Sequence, residues 1–157
     1  MSRRTRNRIC IWLIFLGLIN FLAYTIVYAE LGGDARNGGI EIKLNPDGSP
    51  VLDEDGEPVK VYYIRGHFIR GPAGERSDVH RATWIYSYIH SISIWPTQGM
   101  LMICMLILAQ PHIIATMREN SVMQGTTFVS MTITLVAVVY TAMSVWFVLG
   151  FIWELKG

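Results

Sequence analysis

The stretch ICIWLIFLGLINFLAYTIVYA, residues Ile9–Ala29, decides the fold. It carries no charge, and a helix rising ~1.5 Å per residue over this length crosses a hydrocarbon core of ~30 Å. Two runs of the same character follow, at about Ile92–Ala115 and at Thr126–Trp153. A chain of 157 residues with 52% hydrophobic content and a mean hydropathy of +0.36 is too apolar for an ordinary soluble domain of this size. The expectation is a mainly α membrane protein: three transmembrane helices with a small extracytoplasmic antiparallel β-meander.

Charge sets the expected orientation. The net charge is only +1, which leaves no global basic field and no case for nucleic acid as a partner. The charges are segregated, however. Arg3, Arg4, Arg6 and Arg8 precede the first span, and ten of the twelve acids fall between Glu30 and Asp78. Basic residues flanking a first helix hold that end in the cytoplasm. The chain then reads as a cytoplasmic N-terminus (1–8), a first span (9–29), an extracytoplasmic hairpin segment (30–76), an interfacial helix running into a second span (77–117), a cytoplasmic turn (118–125), a third span (126–153) and an extracytoplasmic tail (154–157). The expected location is a bacterial inner membrane, multi-pass, with residues 30–80 outside. The basic start and the small-x-small form of Val27-Tyr28-Ala29 also suit a signal peptide. Its apolar stretch is longer than the ~7–15 residues of a cleaved signal, so an uncleaved helix is expected.

The outer segment is rich in turn signals. Four glycines and an asparagine lie between Leu31 and Gly39, and Ile40–Leu44 alternates with the period of a strand. Asn45-Pro-Asp-Gly-Ser-Pro-Val51 recurs eight residues later as Asp53-Glu-Asp-Gly-Glu-Pro-Val59. Asp-Gly between short apolar runs predicts a hairpin with left-handed residues at the turn. The expected meander has strands at Ile40–Leu44 and Val59–Ile64 and tight turns at Asp47-Gly48 and Asp55-Gly56. Asp53, Asp55 and Glu57 alternate, but Pro58 and Ile64 stand where a calcium loop needs glycine and glutamate. Ser77 is the expected N-cap of a helix from Asp78 to about Thr116, kinked at Pro96 and Pro111.

Each span has a seam at helical spacing. On the third, Ser130, Thr134, Ala137, Thr141 and Ser144 are all small, and small residues let helices approach where lipid removes the hydrophobic drive. On the second, Ser87, Ser91, Gln98, Met102, Met105, Ala109 and His112 share a stripe. On the first, Gly17, Asn20 and Tyr24 do so. Asn20 lies near the bilayer centre and needs a hydrogen-bond partner there. Trp12, Trp95, Trp146, Trp153, Phe147 and Phe151 are expected to project away from these seams. That is more aromatic surface than three helices cover, which favours a subunit of a larger assembly.

The histidines are the candidates for cofactor chemistry. His67 falls in a linker and His80 at a helix start. His90 and His112 lie in the second span, where an imidazole could ligate haem or a chlorophyll-type pigment. Twenty-two residues separate them, about 33 Å along a helix, so they cannot share one ligand. Cys10 and Cys104 lack any metal-type spacing and read as small buried residues. No Ser–His–acid layout, HExxH motif or phosphate loop is present, so no enzyme and no metal site is expected.

The outer segment resembles that of small bacterial inner-membrane proteins of uncharacterised function. The matching residues are Gly32-Gly33-Asp34-Ala35-Arg36-Asn37-Gly38, Tyr62-Tyr63, Gly66-His67 and Trp84-Ile85-Tyr86-Ser87-Tyr88-Ile89-His90. They cover about sixty residues, with two departures: the inserted Asp-Gly-x-Pro-Val repeat, and Gly-His in place of His-Gly. The resemblance implies a bacterial membrane origin and carries no activity. The expected function is a non-catalytic accessory subunit of a larger membrane complex, with membrane lipids and other subunits as partners. Two readings stay open beside it: a haem- or chlorophyll-binding subunit of an electron-transfer or photosynthetic complex, and a free-standing sensor or ligand-binding membrane protein.

Overall fold

The computed structural model describes residues 2–66, 76–117 and 123–156. In chain order these form α1 (Arg3–Leu31), β1 (Asp34–Ile42), β2 (Lys60–Arg65), β3 (Arg76–Val79), α2 (Arg81–Met117) and α3 (Gly125–Lys156). All three helices are long and apolar enough to cross a membrane, and only 11%, 11% and 6% of their most apolar windows are buried. The chain is a multi-pass membrane protein whose helices leave most of their apolar surface outward. Residues 118–122 of the expected turn, and His67, lie outside the described residues. Contacts divide the chain into two compact units, residues 1–23 with 92–148, and residues 24–91 with 149–157.

The first unit holds α1 up to residue 23, α2 from residue 92 and α3 up to residue 148. Gly17 is buried, and a methyl group added there would lie 3.4 Å from the Thr97 carbonyl oxygen and from Leu101 Cδ1. The missing side chain is what lets α1 approach α2. One turn on, the Asn20 carboxamide donates to Ser93 Oγ at 3.2 Å and to Thr97 Oγ1 at 3.0 Å. The Thr97 hydroxyl in turn donates to the Ser93 carbonyl at 2.8 Å. These polar groups bracket Pro96, which removes a backbone donor from α2.

The inward face of α3 differs from the expected seam. Gly125, Val129 and Val136 are buried, whereas Ser130, Thr134 and Thr141 are exposed and Ala137 and Ser144 half-buried. The packing face is rotated by one residue, about 100°. Bulk explains the choice. Tyr140 sits against Gly99, where an added Cβ would come within 2.7 Å of the tyrosine Cβ. Trp95 packs on Tyr140 and Phe147 with ring centroids 6.1 and 5.2 Å apart, so these aromatics turn inward rather than away. The Ser144 hydroxyl needs no partner helix, because it donates to the Tyr140 carbonyl of its own helix at 2.7 Å.

In the second unit, α1 ends in a Schellman motif. The Gly33 amide donates to the Tyr28 carbonyl at 3.0 Å, and Gly32 has φ +76°. Gly33, at φ +154°, passes so close to the Arg65 carbonyl group that no side chain fits. β1 then pairs antiparallel with β2, with a bulge between Asp34 and Gly39, and Gly38 fills the bulge against the Tyr63 carbonyl.

The sheet has three antiparallel strands in the order β1-β2-β3. Its third strand is not the one the repeat implied. β3 is Arg76–Val79, paired to β2 through Tyr62↔Val79 and Ile64↔Ser77. Ser77 is therefore a strand residue, and α2 starts at Arg81 rather than near Asp78. His80 caps it, with Nδ1 accepting the Ala82 amide at 3.2 Å.

The Asp-Gly repeat forms an arm of two one-bridge hairpins, Leu44↔Pro50 and Leu52↔Pro58. Only the glycines take left-handed φ, +84° at Gly48 and +80° at Gly56, while Asp47 and Asp55 stay at negative φ. Each loop closes through paired backbone bonds, Gly48 N to Asn45 O and Asn45 N to Ser49 O in the first. A three-residue loop ending in a left-handed glycine replaces the expected two-residue turn. The eight-residue period has a geometric cause. Lys43 N donates to Val59 O, Val59 N to Val51 O and Val51 N to Lys43 O, each at 2.8 Å. Three positions eight apart close a ring of backbone bonds, and this ring takes the place of a continuous middle strand.

Candidate functional site

Among the described residues of the second unit one carboxylate is buried, and the end of α1, the glycine-rich turn and one face of α2 surround it. Asp34 is 5% exposed. Its Oδ2 accepts from the Tyr24 hydroxyl at 2.7 Å and from Ser91 Oγ at 3.3 Å, and its Oδ1 accepts from the Asn37 amide at 3.0 Å. The neighbouring Ala35 amide donates to Ser87 Oγ at 3.1 Å. Ser87 and Ser91 are both buried, and Ser91 also reaches the Ser87 carbonyl at 3.0 Å. The side chains converge because Ser87 and Ser91 are four apart on α2, while the Schellman end of α1 turns the chain back toward Tyr24.

A buried carboxylate is tolerated only where donors replace water. Asp34 has three of them on its two oxygens. Such an arrangement holds the turn in place.

His90 borders this network. Its ring meets Tyr24 edge-on at 5.5 Å between centroids and Tyr86 at 5.6 Å. It is half-buried between two tyrosine rings. His112 is exposed on α2, and its carbonyl accepts from Thr116 Oγ1 at 3.0 Å. Among the described residues no three His, Cys, Asp or Glu side chains gather as metal ligands would.

Beside it lies an aromatic cluster with an ion pair at its edge. Trp84 and Tyr88 are fully buried. Trp84 packs on Tyr62 at 5.8 Å, on Tyr88 at 5.1 Å and near-parallel to Phe151 at 6.1 Å, and Tyr88 meets Phe151 at 4.9 Å. Phe151 was expected to project outward; it completes this core instead. The Tyr88 hydroxyl donates to Glu154 Oε1 at 3.4 Å, and Arg36 lies 3.8 Å from the same oxygen. Gly150 makes room, since an added Cβ would sit 3.2 Å from the Tyr88 hydroxyl.

The sheet carries a second charged group. Arg76 pairs with Glu41 at 2.7 Å and with Asp78 at 3.1 Å, and its guanidinium lies 4.0 Å over the Tyr63 ring. The Arg76 hydrogen bond holds the Glu41 carboxyl below its ordinary range, and burial followed by the Glu41 charge pushes the Tyr63 phenol up. On the arm, the Ser49 hydroxyl and amide hold the Asp47 carboxyl down in the same way. Asp53 spends Oδ1 on the Asp55 and Glu57 amides, at 3.0 and 2.9 Å. These acids shape turns.

The residues singled out in the sequence fall in different places. Gly17 and Asn20 face α2 in the first unit, and Tyr24 faces Asp34 in the second. Gln98 is half-buried, with Nε2 buried and without a partner among the described residues. Met102 accepts from the Tyr140 hydroxyl at 3.1 Å, and Ala109 is exposed. Asp34, Ser87 and Ser91 were not singled out as a set. The signal available was the short Gly-Gly-Asp motif beside Tyr-Ser-x-x-His, whose members meet only in three dimensions. Comparison with family models, with curated proteins and with solved structures finds no match to this chain.

Proposed function

We propose that the protein is a non-catalytic accessory subunit of a larger bacterial membrane complex. Its three helices pack among other subunits and lipid, and its arm braces a neighbour on the extracytoplasmic side, with the arginine-rich N-terminus in the cytoplasm. One observation supports the reading above others. The end of β1 and the arm turn apolar side chains outward: Ile42, Leu44 and Leu52 are 50%, 60% and 55% exposed. Apolar groups held out in this way by a closed backbone ring suit docking better than solvation. The buried polar groups at the base of the segment are engaged with one another, as a scaffold requires.

The test is purification of the whole chain in mild detergent, with the co-eluting proteins and the visible spectrum recorded. The expected result is a colourless species above monomer mass with defined partners. A Leu44→Asp, Leu52→Asp double variant is expected to lose those partners and keep its thermal midpoint, because neither side chain touches a core. A partner-free monomer overturns the reading. So does a pigment band that His90→Ala abolishes, which replaces it with cofactor binding.

A further inference from the structure

The first unit contains an apolar cleft of about 680 Å³ to which all three helices contribute. The volume falls in the ~300–1,000 Å³ range of small-molecule sites. Its wall is mainly hydrocarbon and sulfur, with Ile9, Cys10, Leu13, Ile103 and Cys104 among the lining side chains. Two hydroxyls on that wall are already spent, Ser144 Oγ on its own backbone and the Tyr140 hydroxyl on Met102 Sδ. Along α2 the cleft runs from Pro96 to Ile107, eleven positions. That is ~16 Å, about half of a ~30 Å hydrocarbon core and so the depth of one leaflet.

Among the described residues the only charged one on the lining is Arg6. Its Nε is buried and has no hydrogen-bond partner among the described residues. A guanidinium nitrogen withdrawn from water at a membrane boundary needs an anion. The chain supplies few: residues 1–23 contain no acid, and residues 92–148 contain only Glu119. Arg3, Arg4 and Arg8 add to the field at the same end of α1. A lipid phosphate is the anion that stands at this depth, and it carries a chain of the length the cleft accommodates.

We propose that this cleft is a binding site for an anionic glycerophospholipid of the leaflet at the N-terminal end of α1, with one acyl chain between the helices and the phosphate on Arg6. Guanidinium pairs with phosphate through two parallel N–H···O bonds, so Arg6 sets headgroup position as well as charge. The wall contributes by burying methylenes without asking for hydrogen bonds.

The test uses the full chain in nanodiscs containing equal amounts of phosphatidylglycerol and phosphatidylethanolamine, re-extracted in mild detergent and weighed by native mass spectrometry. The expected result is one retained phosphatidylglycerol per chain, enriched about fivefold, the factor given by ~1 kcal/mol of attraction per basic residue. Arg6→Gln is expected to abolish the enrichment, and Arg4→Gln, which does not line the cleft, to preserve it. Ala137→Phe, on the cleft wall, is expected to lose the retained lipid while keeping its helical circular dichroism. Retention in the bulk ratio overturns the proposal, as does enrichment that survives Arg6→Gln, or a co-purified polypeptide crosslinked at Ile103. Should Ala137→Phe fail to fold, the contrast between Arg6→Gln and Arg4→Gln decides the matter alone.

Discussion

The phenol of Tyr24 donates a 2.7 Å hydrogen bond to the buried carboxylate of Asp34, joining the last turns of α1 to the first residue of β1. Ten residues separate the two, and the left-handed Gly32 between them reverses the chain. A helix end, a glycine cap and a buried acid thus act as one device.

Removing one donor tests the device. Tyr24→Phe leaves Asp34 buried with one strong bond fewer and is expected to destabilise the protein by about 1–3 kcal/mol, the cost of an unmet buried polar group. Because Ser91 serves the same oxygen, Tyr24→Phe and Ser91→Ala are expected to couple by more than ~0.5 kcal/mol in a double-mutant cycle. Equilibrium unfolding in detergent measures both.

The glycines are not equivalent. Gly33→Ala meets both a positive φ and the Arg65 carbonyl group, so it is expected to disrupt the junction of α1 with the sheet. Gly48→Ala meets nothing within 4 Å and should show only the left-handed penalty, about 1–2 kcal/mol confined to its loop. Amide hydrogen exchange across β1 and β2 separates the outcomes: protection is lost in the first variant and retained in the second.

In the first unit, Asn20→Leu removes two bonds to α2. Interhelical bonds in membranes average ~0.6 kcal/mol with a maximum near ~1.7, so a loss of about 1 kcal/mol is expected. Gly99→Ala is expected to cost more, about 1–3 kcal/mol, because the new methyl overlaps Tyr140. Pairing it with Tyr140→Ala should recover part of the loss, as read by the same unfolding assay.

Acid should loosen the sheet through Glu41. Its folded carboxyl is held below the unfolded value by Arg76. The stabilisation is therefore fully present above the unfolded pKa of ~4.3 and fades as pH falls through the depressed folded value. Carbon-13 NMR titration of Glu41 is expected to show a midpoint below the ordinary carboxylate range, and Arg76→Gln to return it there. Both groups are exposed, so the effect on global stability is small.

The three spans and the antiparallel sheet were legible in the chain because both rest on local properties. A run such as Ile9–Ala29 lowers its free energy in lipid whatever its neighbours are, and Asp-Gly turns close over a few residues. Asn20 was legible too, since an amide in hydrocarbon must find a donor or acceptor nearby. What the tertiary structure alone decided was which groups those spans and turns meet. The face of α3 turns on Tyr140 fitting against Gly99 and Phe147 against Trp95, a matter of bulk on another helix that the small-residue rhythm of Ser130 to Ser144 does not encode. The third strand came from Arg76–Val79 rather than from the repeat, because Lys43, Val51 and Val59 satisfied their backbone groups in a ring. Asp34 likewise acquired its role from Tyr24, Ser91 and the amide of Asn37. Long-range partners set these outcomes, because a side chain's packing energy depends on neighbours that its own stretch of sequence does not name.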